Sequence, residues 1–176
     1  NVTSAQQTSC KYRIDFSPMS AYHNGYKEFY CFENYWQAGK CYQDIDRDKQ
    51  LEWWKKQKKG HRRYPNSKGK EVLYAKYPGL QPLYYIDSRK QVYVPEYYNI
   101  IKDCYSLKEL KTRQQKGEII VIYDFDGPRN DDGTPTMKEV TLELLKEKIN
   151  DPKHPFGHGY IIAAELAGFA IEDYIL

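Results

Sequence analysis

The segment FENYWQAGK places four chemically active side chains at helical spacing. Glu33, Trp36, Gln37 and Lys40 stand at positions i, i+3, i+4 and i+7. Seven residues make about two turns of an α-helix, so the spacing predicts that Glu33 and Lys40 lie on one face. A carboxylate, an indole and an amine on one face could line a ligand pocket. On spacing alone, an amphipathic helix with a single intrahelical ion pair is the favoured interpretation.

A second group of candidate residues follows the apolar run Glu118–Tyr123, whose composition predicts a buried strand. The run leads directly into Asp124, Phe125, Asp126 and Gly127. Because side chains alternate along a strand, the two carboxylates should share one face. Burying charge is costly, so carboxylates at a strand end are usually placed for function. A turn in which aspartate accepts from backbone N–H groups explains them equally well.

Two glycines bracket a histidine in the segment HPFGHGY, just before a predicted helix. Glycine lets backbone N–H groups approach a phosphate closely, and a helix N-terminus favours an anion. Gly157, His158 and Gly159 are therefore candidates for anion binding. A tight turn explains the same pattern equally well.

Positive charge is concentrated in the segment Lys55–Lys70, which holds eight lysines and arginines and no acid. The whole chain has a net charge of +3, so the remainder carries 3 − 8 = −5. A cluster of this size with an aromatic ring inside it is typical of surfaces that bind phosphates. Arg62, Arg63 and Tyr64 are the candidate nucleic-acid-binding residues, and a solvated helix end and loop is an equally open interpretation.

The composition is that of a folded chain. With 176 residues, 40% hydrophobic and 29% charged, the sequence has room for one domain with a hydrophobic core, and disorder is excluded. No apolar run approaches the roughly 20 residues of a membrane span, and no leader-like segment opens the sequence. The cysteines, Cys10, Cys31, Cys41 and Cys104, show no C-x-x-C or zinc spacing, so we expect reduced thiols and an intracellular protein.

The elements that must position these residues are predicted from hydrophobic spacing, capping residues and glycine or proline breaks. They indicate an α+β fold with several helices around small β-sheets. In the first half we expect a turn at His23–Gly25, a strand Tyr26–Cys31, helices Phe32–Cys41 and Asp44–Lys59, and strand-like pieces Glu71–Ala75 and Leu83–Ile86. In the second half we expect a helix opened by Pro95, a helix with a Ser106-x-x-Glu109 capping box, the strand Glu118–Tyr123, and helices Met137–Ile149 and Ile161–Gly168. Residues 1–15 should be loose, and residues 16–176 should form a single domain.

The sequence FENYWQAGKCY resembles the signature of the NADAR (YbiA-like) family, in which a Phe/Ser opening precedes a Glu-aromatic-aromatic-Gln-Ala-x-Lys helix. Phe16 and Ser17 supply the opening, and the helix residues are Glu33, Tyr35, Trp36, Gln37, Ala38 and Lys40. The resemblance is specific over residues 16–42 and looser elsewhere. Here Phe156-Gly157-x-Gly159 stands where the family usually has Trp-Gly-x-Gly, and the Asn that commonly follows is missing. The resemblance implies a single NADAR-like catalytic domain.

NADAR proteins are N-glycosidases, so the resemblance implies cleavage of an N-glycosidic bond. Two substrate classes follow from it: riboflavin-pathway intermediates, and ADP-ribose attached to guanine in nucleic acid. The basic segment and the 18 tyrosines favour the second class. ADP-ribose is then the expected product ligand, and ADP-ribosylated DNA or RNA the expected partner. No cofactor, metal, membrane or obligate protein partner is expected.

Under this resemblance, the expected catalytic residues are Lys40, Asp126 and Glu33. Positive charge builds at the anomeric carbon and the leaving guanine needs a proton, so we expect Asp126 to act as acid/base at the ribose. Glu33 should orient the ribose and Lys40. Lys40 either stabilises charge or attacks the anomeric carbon of the opened sugar to give a Schiff base; pairing with Glu33 opposes that attack by favouring the charged amine. The expected ligand-binding residues are Phe32, Trp36, Gln37, Gly127, Arg129, Gly157, His158 and Gly159.

Two interpretations from other functional classes stay open. The strand followed by DFDGP is similar to the motif of haloacid-dehalogenase-type phosphatases, with Asp124 as nucleophile, Asp126 as acid/base and a bound magnesium ion. Only 49 residues follow Gly127, however, which leaves no room for that family's later motifs. The other interpretation is a non-enzymatic reader of ADP-ribose or nucleic acid, which has no need of an ionisable trio.

Overall fold

The computed structural model describes residues 1–5, 9–21 and 25–176. Over these residues the chain forms two compact units. The continuous unit is Pro18–Ser88, and the discontinuous unit combines Asn1–Ser17 with Arg89–Leu176. Two residues of the turn predicted at His23–Gly25 lie outside the described residues.

The predicted α+β class is confirmed, because helices and one small antiparallel sheet make up the regular structure of the described chain. The continuous unit contains α2 (Phe32–Gly39), β1 (Lys40–Tyr42), α3 (Arg47–Lys55), β2 (Val72–Ala75) and α4 (Tyr85–Ser88). The discontinuous unit contains α1 (Lys11–Phe16), a π-helix (Arg89–Tyr93), α5 (Val94–Ile101), α6 (Tyr105–Gln115), α7 (Leu142–Asn150), α8 (His158–Leu166) and α9 (Ile171–Ile175).

Helix α2 ends two residues before the predicted boundary, and Lys40 begins strand β1 instead of the last helical turn. Lys40 is extended, with φ −67° and ψ 131°, and it lies opposite Ala75 in the antiparallel pair. The last carbonyls of the helix accept hydrogen bonds from outside it. Gly39 C=O accepts from Lys76 N–H at 2.8 Å, and Ala38 C=O accepts from the Arg47 side chain. Sheet pairing with a segment 35 residues away therefore overrides the helical pattern.

Helix α3 is shorter at both ends than the predicted Asp44–Lys59. Asp44 has a positive φ of 57°, so it cannot belong to the helix. Asp46 is the N-cap, and its carboxylate accepts from Lys49 N–H at 2.9 Å. Trp54 on α3 is fully buried and anchors the helix in the continuous unit.

The predicted strand Tyr26–Cys31 is wrong. Tyr26 and Phe29 exchange two backbone hydrogen bonds of 2.9 Å across a two-residue turn, in which Lys27 has φ 54°. The predicted strand Glu71–Ala75 is confirmed as β2. The predicted piece Leu83–Ile86 is a single bridge from Leu83 to Ala75 followed by helix α4.

The helix opened by Pro95 is confirmed as α5, in which Pro95 occupies the first turn. The predicted Ser106-x-x-Glu109 capping box is wrong, because the N-cap of α6 is Cys104. The amide of Ser106 instead donates to the Asp15 carboxylate at 2.9 Å. The cap of α6 is thus supplied by a residue of α1, which local spacing cannot reveal.

The first segment of the discontinuous unit, which we expected to be loose, contains helix α1 and contacts later residues. Val2 is buried, and its N–H donates to Tyr123 C=O at 2.9 Å. Lys11 forms an ion pair with Glu109 at 2.6 Å. Long-range contacts therefore order a segment whose own composition is polar.

The predicted buried strand Glu118–Tyr123 is wrong. The segment belongs to no sheet, and Ile119 and Val121 are exposed to solvent. Its hydrophobic composition is that of a strand, but no neighbouring strand among the described residues pairs with it.

Helix α7 begins at Leu142, five residues after the predicted start, because Thr141 caps it by accepting from Leu144 N–H. The buried Arg89 caps the C-terminal end of α7. Its guanidinium donates to Ile149 C=O at 3.2 Å and to Asp151 C=O at 2.7 Å. Arg89 also donates to His154 C=O, which fixes the loop that leads to α8.

Helix α8 confirms the predicted helix and extends it to His158, which is its first residue. All four cysteines are free, and Cys31, Cys41 and Cys104 are buried. Burial raises the pKa of the Cys31 thiol to about 11. No helix in the described ranges has the length and apolar character to cross a membrane.

Candidate functional site

The predicted site residues are divided between the two units. The continuous unit holds Glu33, Phe32, Trp36, Gln37, Lys40, Arg62, Arg63 and Tyr64, and the discontinuous unit holds Asp126, Gly127, Arg129, Gly157, His158 and Gly159. Each unit is therefore described by itself.

The side-chain amine of Lys40 lies near two aromatic rings, those of Trp36 and Tyr85. The Nζ atom lies 5.6 Å from the ring centroid of Trp36 and 6.0 Å from that of Tyr85. The side chain is half-buried. Aromatic faces attract a cation at this range, so the two rings hold the amine in place while water still reaches it.

The backbone beneath Lys40 is fixed. Its carbonyl accepts from the side-chain amide of Gln50 at 2.8 Å, and Gln50 is fully buried in α3. The residue is also paired with Ala75 in the sheet. The flexible side chain of Lys40 thus extends from a rigid backbone. A side chain whose amine must reach one particular atom of a ligand needs such a fixed base.

Trp36 is held by a stacked tyrosine. Its ring is nearly parallel to that of Tyr77, with centroids 5.9 Å apart, and the Tyr77 hydroxyl donates to Trp36 C=O at 2.9 Å. Gly39 makes this approach possible, because a Cβ built there would overlap the Tyr77 ring and lie 2.6 Å from its hydroxyl oxygen. Sequence reasoning missed both Tyr77 and the role of Gly39.

Glu33 and Gln37 are one turn apart on α2, and the Gln37 amide donates to the Glu33 carboxylate at 2.8 Å. The prediction that Lys40 shares their helical face is wrong, since Lys40 is on β1. Phe32 is buried and packs edge-on against Tyr26, with centroids 5.1 Å apart. Its surroundings are those of a core residue of the continuous unit.

The basic segment Lys55–Lys70 is a solvent-exposed surface, and all eight of its lysines and arginines are exposed. Lys55 pairs with Glu28 at 2.8 Å, and Lys56 pairs with Glu52 at 2.6 Å. Within the described ranges, the other six cations show no ion pair. Positive charge is therefore left available to a ligand that carries phosphates.

Aromatic rings lie within this basic segment and directly before it. Trp53 contacts His61 and Tyr64 edge-on, with centroids 5.0 and 5.3 Å apart. All three rings are half-buried. Exposed cations beside partly exposed rings are the pairing used to bind single-stranded nucleic acid, since phosphates meet the cations and bases stack on the rings.

A buried asparagine fastens the basic segment to α2. The amide nitrogen of Asn34 donates to Lys59 C=O at 2.9 Å, and its oxygen accepts from His61 N–H at 2.9 Å. Asn34 is fully buried. Sequence reasoning missed it, although a polar residue on the apolar side of FENYW was a signal.

Replacing Asn34 with alanine should release the basic segment. The variant leaves two backbone groups without partners, which we expect to lower the free energy of unfolding by about 2–3 kcal/mol. Trypsin should cleave between Lys58 and Arg63 several-fold faster, as followed by mass spectrometry. The exposed Asn99→Ala variant is the control and should change stability by less than about 0.5 kcal/mol. Unchanged cleavage in Asn34→Ala would contradict the assignment.

In the discontinuous unit, Asp124 is the carboxylate that anchors the glycine-rich segment. Its oxygens accept from Phe125 N–H at 2.8 Å and from Gly159 N–H at 2.9 Å. One oxygen also lies 3.3 Å from Nδ1 of His158, and both side chains are buried. The Nε2–H of His158 donates to Val2 C=O at 2.7 Å. The Asp124 carboxylate thus occupies the place at the N-terminus of α8 where an anion would bind.

Gly157 and Gly159 pack so closely against two aspartates that neither position has room for a Cβ atom. A Cβ at Gly159 would lie 2.5 Å from Asp124 Cβ, and one at Gly157 would lie 2.9 Å from Asp126 Cβ. The shared face predicted for the two carboxylates therefore meets the glycine-rich segment. The Gly159 amide already donates to Asp124, so a diphosphate at this position would need other hydrogen-bond donors.

Arg129 holds a turn together. Its guanidinium donates to Gly133 C=O and Phe125 C=O, both at 2.8 Å, and lies 5.2 Å from the Phe125 ring. Gly127 N–H donates to Asp124 C=O at 3.0 Å within the same turn. These contacts account for both residues without a ligand.

The pKa of Tyr160, on α8, is affected by the negative charge of this region. Burial, followed by the charges of Asp124 and Asp126, raises its pKa to about 12. Its ring stacks on Phe156, with centroids 5.0 Å apart. The phenol therefore stays neutral at physiological pH.

Replacing Asp124 with alanine should destabilise the discontinuous unit, because Gly159 N–H and Phe125 N–H lose their acceptor. We expect the free energy of unfolding to fall by about 2–3 kcal/mol in urea titrations. Asp131→Asn, on the exposed turn, is the matched control and should change stability by less than about 0.5 kcal/mol. Equal stability of Asp124→Ala and wild type would refute the anchoring role.

No group of three or more His, Cys, Asp or Glu side chains within residues 1–5, 9–21 and 25–176 could hold a metal ion. Comparison with known proteins gave no match to a family model, a curated protein or a solved structure.

Proposed function

We propose that the protein is an N-glycosidase that removes ADP-ribose from guanine in nucleic acid. The observation that carries the proposal is the position of Lys40. Its amine lies within 6.0 Å of the ring centroids of Trp36 and Tyr85, and its backbone carbonyl accepts from the buried Gln50. The same unit carries the exposed cations and half-buried rings of the basic segment.

The amine of Lys40 supplies the chemistry. In its neutral form it attacks the anomeric carbon, the bond from that carbon to the guanine nitrogen breaks, and the nitrogen takes up a proton. Opening of the sugar ring turns the adduct into a Schiff base. Water then adds to this Schiff base and expels the lysine, which releases ADP-ribose. Atoms balance with water as the only co-reactant.

The basic segment supplies affinity for the nucleic acid. Arg62 and Arg63 would contact phosphates, and Tyr64 beside Trp53 would stack on a base. Because these contacts are electrostatic, binding should weaken steeply as salt concentration rises. A small metabolite would show little such dependence.

The remaining catalytic assignments rest on the resemblance to NADAR proteins. Glu33, tied to Gln37, would orient the ribose. The assignment of Asp126 as acid/base stays a prediction from that resemblance, and the Asp126→Asn variant tests it separately.

The experiment is incubation of the full chain with a single-stranded oligonucleotide carrying ADP-ribose on guanine, without added metal. Mass spectrometry follows released ADP-ribose. We expect release together with an intact, unmodified oligonucleotide. Tight binding without release would favour a reader, and cleavage of a riboflavin-pathway intermediate alone would favour the small-molecule class. Magnesium-dependent release of phosphate would favour a phosphatase. Each of these results would overturn the proposal.

A further inference from the structure

The exposed hydrophobic side chains of the continuous unit lie in one stretch of the chain, residues 73–84. Among the described residues of this unit, the large hydrophobic side chains that are exposed are those of Leu73, Tyr74, Leu80 and Tyr84. Tyr84 is 76% exposed and Tyr74 is 39% exposed. Single exposed hydrophobic residues are common on protein surfaces, whereas a group of them at one place is typical of a binding surface.

Tyr74 and Tyr84 are neighbours in space. Ala75 and Leu83 exchange two backbone hydrogen bonds, of 2.7 and 2.8 Å, as an antiparallel pair. Tyr74 precedes Ala75 and Tyr84 follows Leu83, so the two tyrosines lie at the same end of that pair. Tyr74 belongs to β2, and Tyr84 C=O accepts from Ser88 N–H at 2.8 Å at the start of α4. Both exposed rings therefore extend from backbone that is fixed by hydrogen bonds.

Lys40 lies beside the same pair of residues. Ala75 pairs with Lys40 on one side and with Leu83 on the other, so the backbone segments of Lys40, Ala75 and Leu83 are neighbours in that order. Tyr85, the residue after Tyr84, places its ring centroid 6.0 Å from the Lys40 amine. The exposed tyrosines are therefore close to the amine that is proposed to perform the chemistry.

Positive charge lies at the other end of β2. The basic segment ends at Lys70, two residues before β2 begins at Val72. Tyr42 pairs with Val72 in the sheet; burial raises the pKa of Tyr42, and the Ser67 hydroxyl and the charge of Arg63 oppose that rise. Arg63 therefore also lies near this sheet. The four residues of β2 span about 13 Å, so cations and exposed rings lie at the two ends of one short strand.

We propose that Tyr74 and Tyr84 stack on unpaired bases of a nucleic-acid strand whose phosphates lie on the basic segment, so that the protein takes its substrate single-stranded. This inference rests on the proposed function and specifies the form of its nucleic-acid substrate. The phosphates would meet the six cations of the basic segment that show no ion pair within the described ranges. Aromatic side chains stack on bases of any sequence, but only where the bases are not already stacked inside a duplex. The neighbouring positive charge favours such a strand over an uncharged apolar partner.

The first test is fluorescence anisotropy of the full chain with a labelled thymidine oligonucleotide of about 12 nucleotides that carries no ADP-ribose. We expect Tyr84→Ala to raise the dissociation constant about tenfold, within the range for the loss of one stacked base. Its melting temperature should match that of wild type, because the side chain is exposed. Tyr84→Phe keeps the ring and should bind like wild type. Tyr105→Ala is the matched control, since Tyr105 is 71% exposed and lies in the discontinuous unit. It should leave the dissociation constant unchanged.

The second test separates stacking from charge with an abasic strand of the same length. This strand keeps every phosphate but has no base, so wild type and Tyr84→Ala should bind it equally. A duplex of the same length should also be bound equally by the two proteins. Arg62→Ala should weaken binding of both single strands and reduce the slope of log K against log salt concentration by about 0.7, the value for one phosphate contact. Tyr84→Ala should leave that slope unchanged.

Equally tight binding of the thymidine strand by wild type and Tyr84→Ala would overturn the inference, as would the absence of any binding. An equal loss of affinity for the abasic strand would also overturn it, because the ring would then act on the fold and not on bases. Weaker binding of free ADP-ribose alone would assign the rings to the adenine of the product instead.

Release of ADP-ribose from modified guanine is measured separately on the same preparations. Unchanged release together with unchanged strand binding in Tyr84→Ala would end the stacking surface and leave the glycosidase standing. Strand binding that depends on Tyr84, with no release by wild type, would end the glycosidase and leave the stacking surface standing.

Discussion

Replacing Lys40 with alanine should lower the rate of ADP-ribose release by about 10³-fold, within the range found when a group acting in the transition state is removed. The side chain is half-buried, and its contact with Trp36 contributes only about 0.5–1 kcal/mol to folding. The variant should therefore fold and still bind the oligonucleotide. A loss of rate with retained binding is measured by combining single-turnover kinetics with fluorescence anisotropy.

The covalent role of Lys40 has its own readout. Borohydride added during turnover should trap the Schiff base and increase the mass of the wild-type chain by one reduced ADP-ribose on the peptide that contains Lys40. Lys40→Arg keeps the charge but should show no adduct. Lys76→Ala, an exposed lysine just beyond β2, is the matched control and should keep full activity. Full activity in Lys40→Ala would end the glycosidase mechanism proposed here.

Replacing Gly39 with alanine should cost about 3 kcal/mol of folding free energy, the upper part of the usual range for overpacking. The added methyl group would overlap the ring of Tyr77, which cannot move away while its hydroxyl donates to Trp36 C=O. For a chain of this length, the melting temperature should fall by about 6–12 °C. Differential scanning calorimetry measures the change.

A double-mutant cycle with Tyr77→Ala tests the cause. Removing the ring creates space for the new methyl group, so the two substitutions together should destabilise the chain by less than the sum of their separate effects. Gly69→Ala is the control, since nothing lies within 4 Å of a Cβ there. Its cost should be the left-handed backbone strain of about 1–2 kcal/mol. Additive effects of Gly39→Ala and Tyr77→Ala would refute the steric explanation.

Local patterns located the chemically interesting residues but not always the elements that carry them. Lys40 was expected on a helix, and it lies on a strand because pairing with Ala75 decides the backbone there. The run Glu118–Tyr123 has the composition of a core strand, yet its burial depends on a neighbouring strand. Helix α5 was predicted well, because Pro95 and the apolar spacing are local signals.

The candidate site was the harder part to predict, since its contacts join distant segments. The DFDG and GHG motifs were interpreted separately, and only the fold shows that the glycines admit Asp124 and Asp126. Asn34 and Tyr77 gained their roles from contacts with residues that are 25 and 41 positions away in the sequence. One sequence without its relatives gives no indication of such pairs.

The division of the chain has a consequence for the order in which it folds during synthesis. Pro18–Ser88 is one uninterrupted stretch, so its residues are all available while the ribosome is still adding the second half. Val2 and Asp15, by contrast, must wait for Tyr123 and Ser106 to emerge. At about 5–20 residues per second, this wait lasts several seconds. The inserted unit can therefore complete its core first, while the polar opening segment waits for its partners in the second half of the chain.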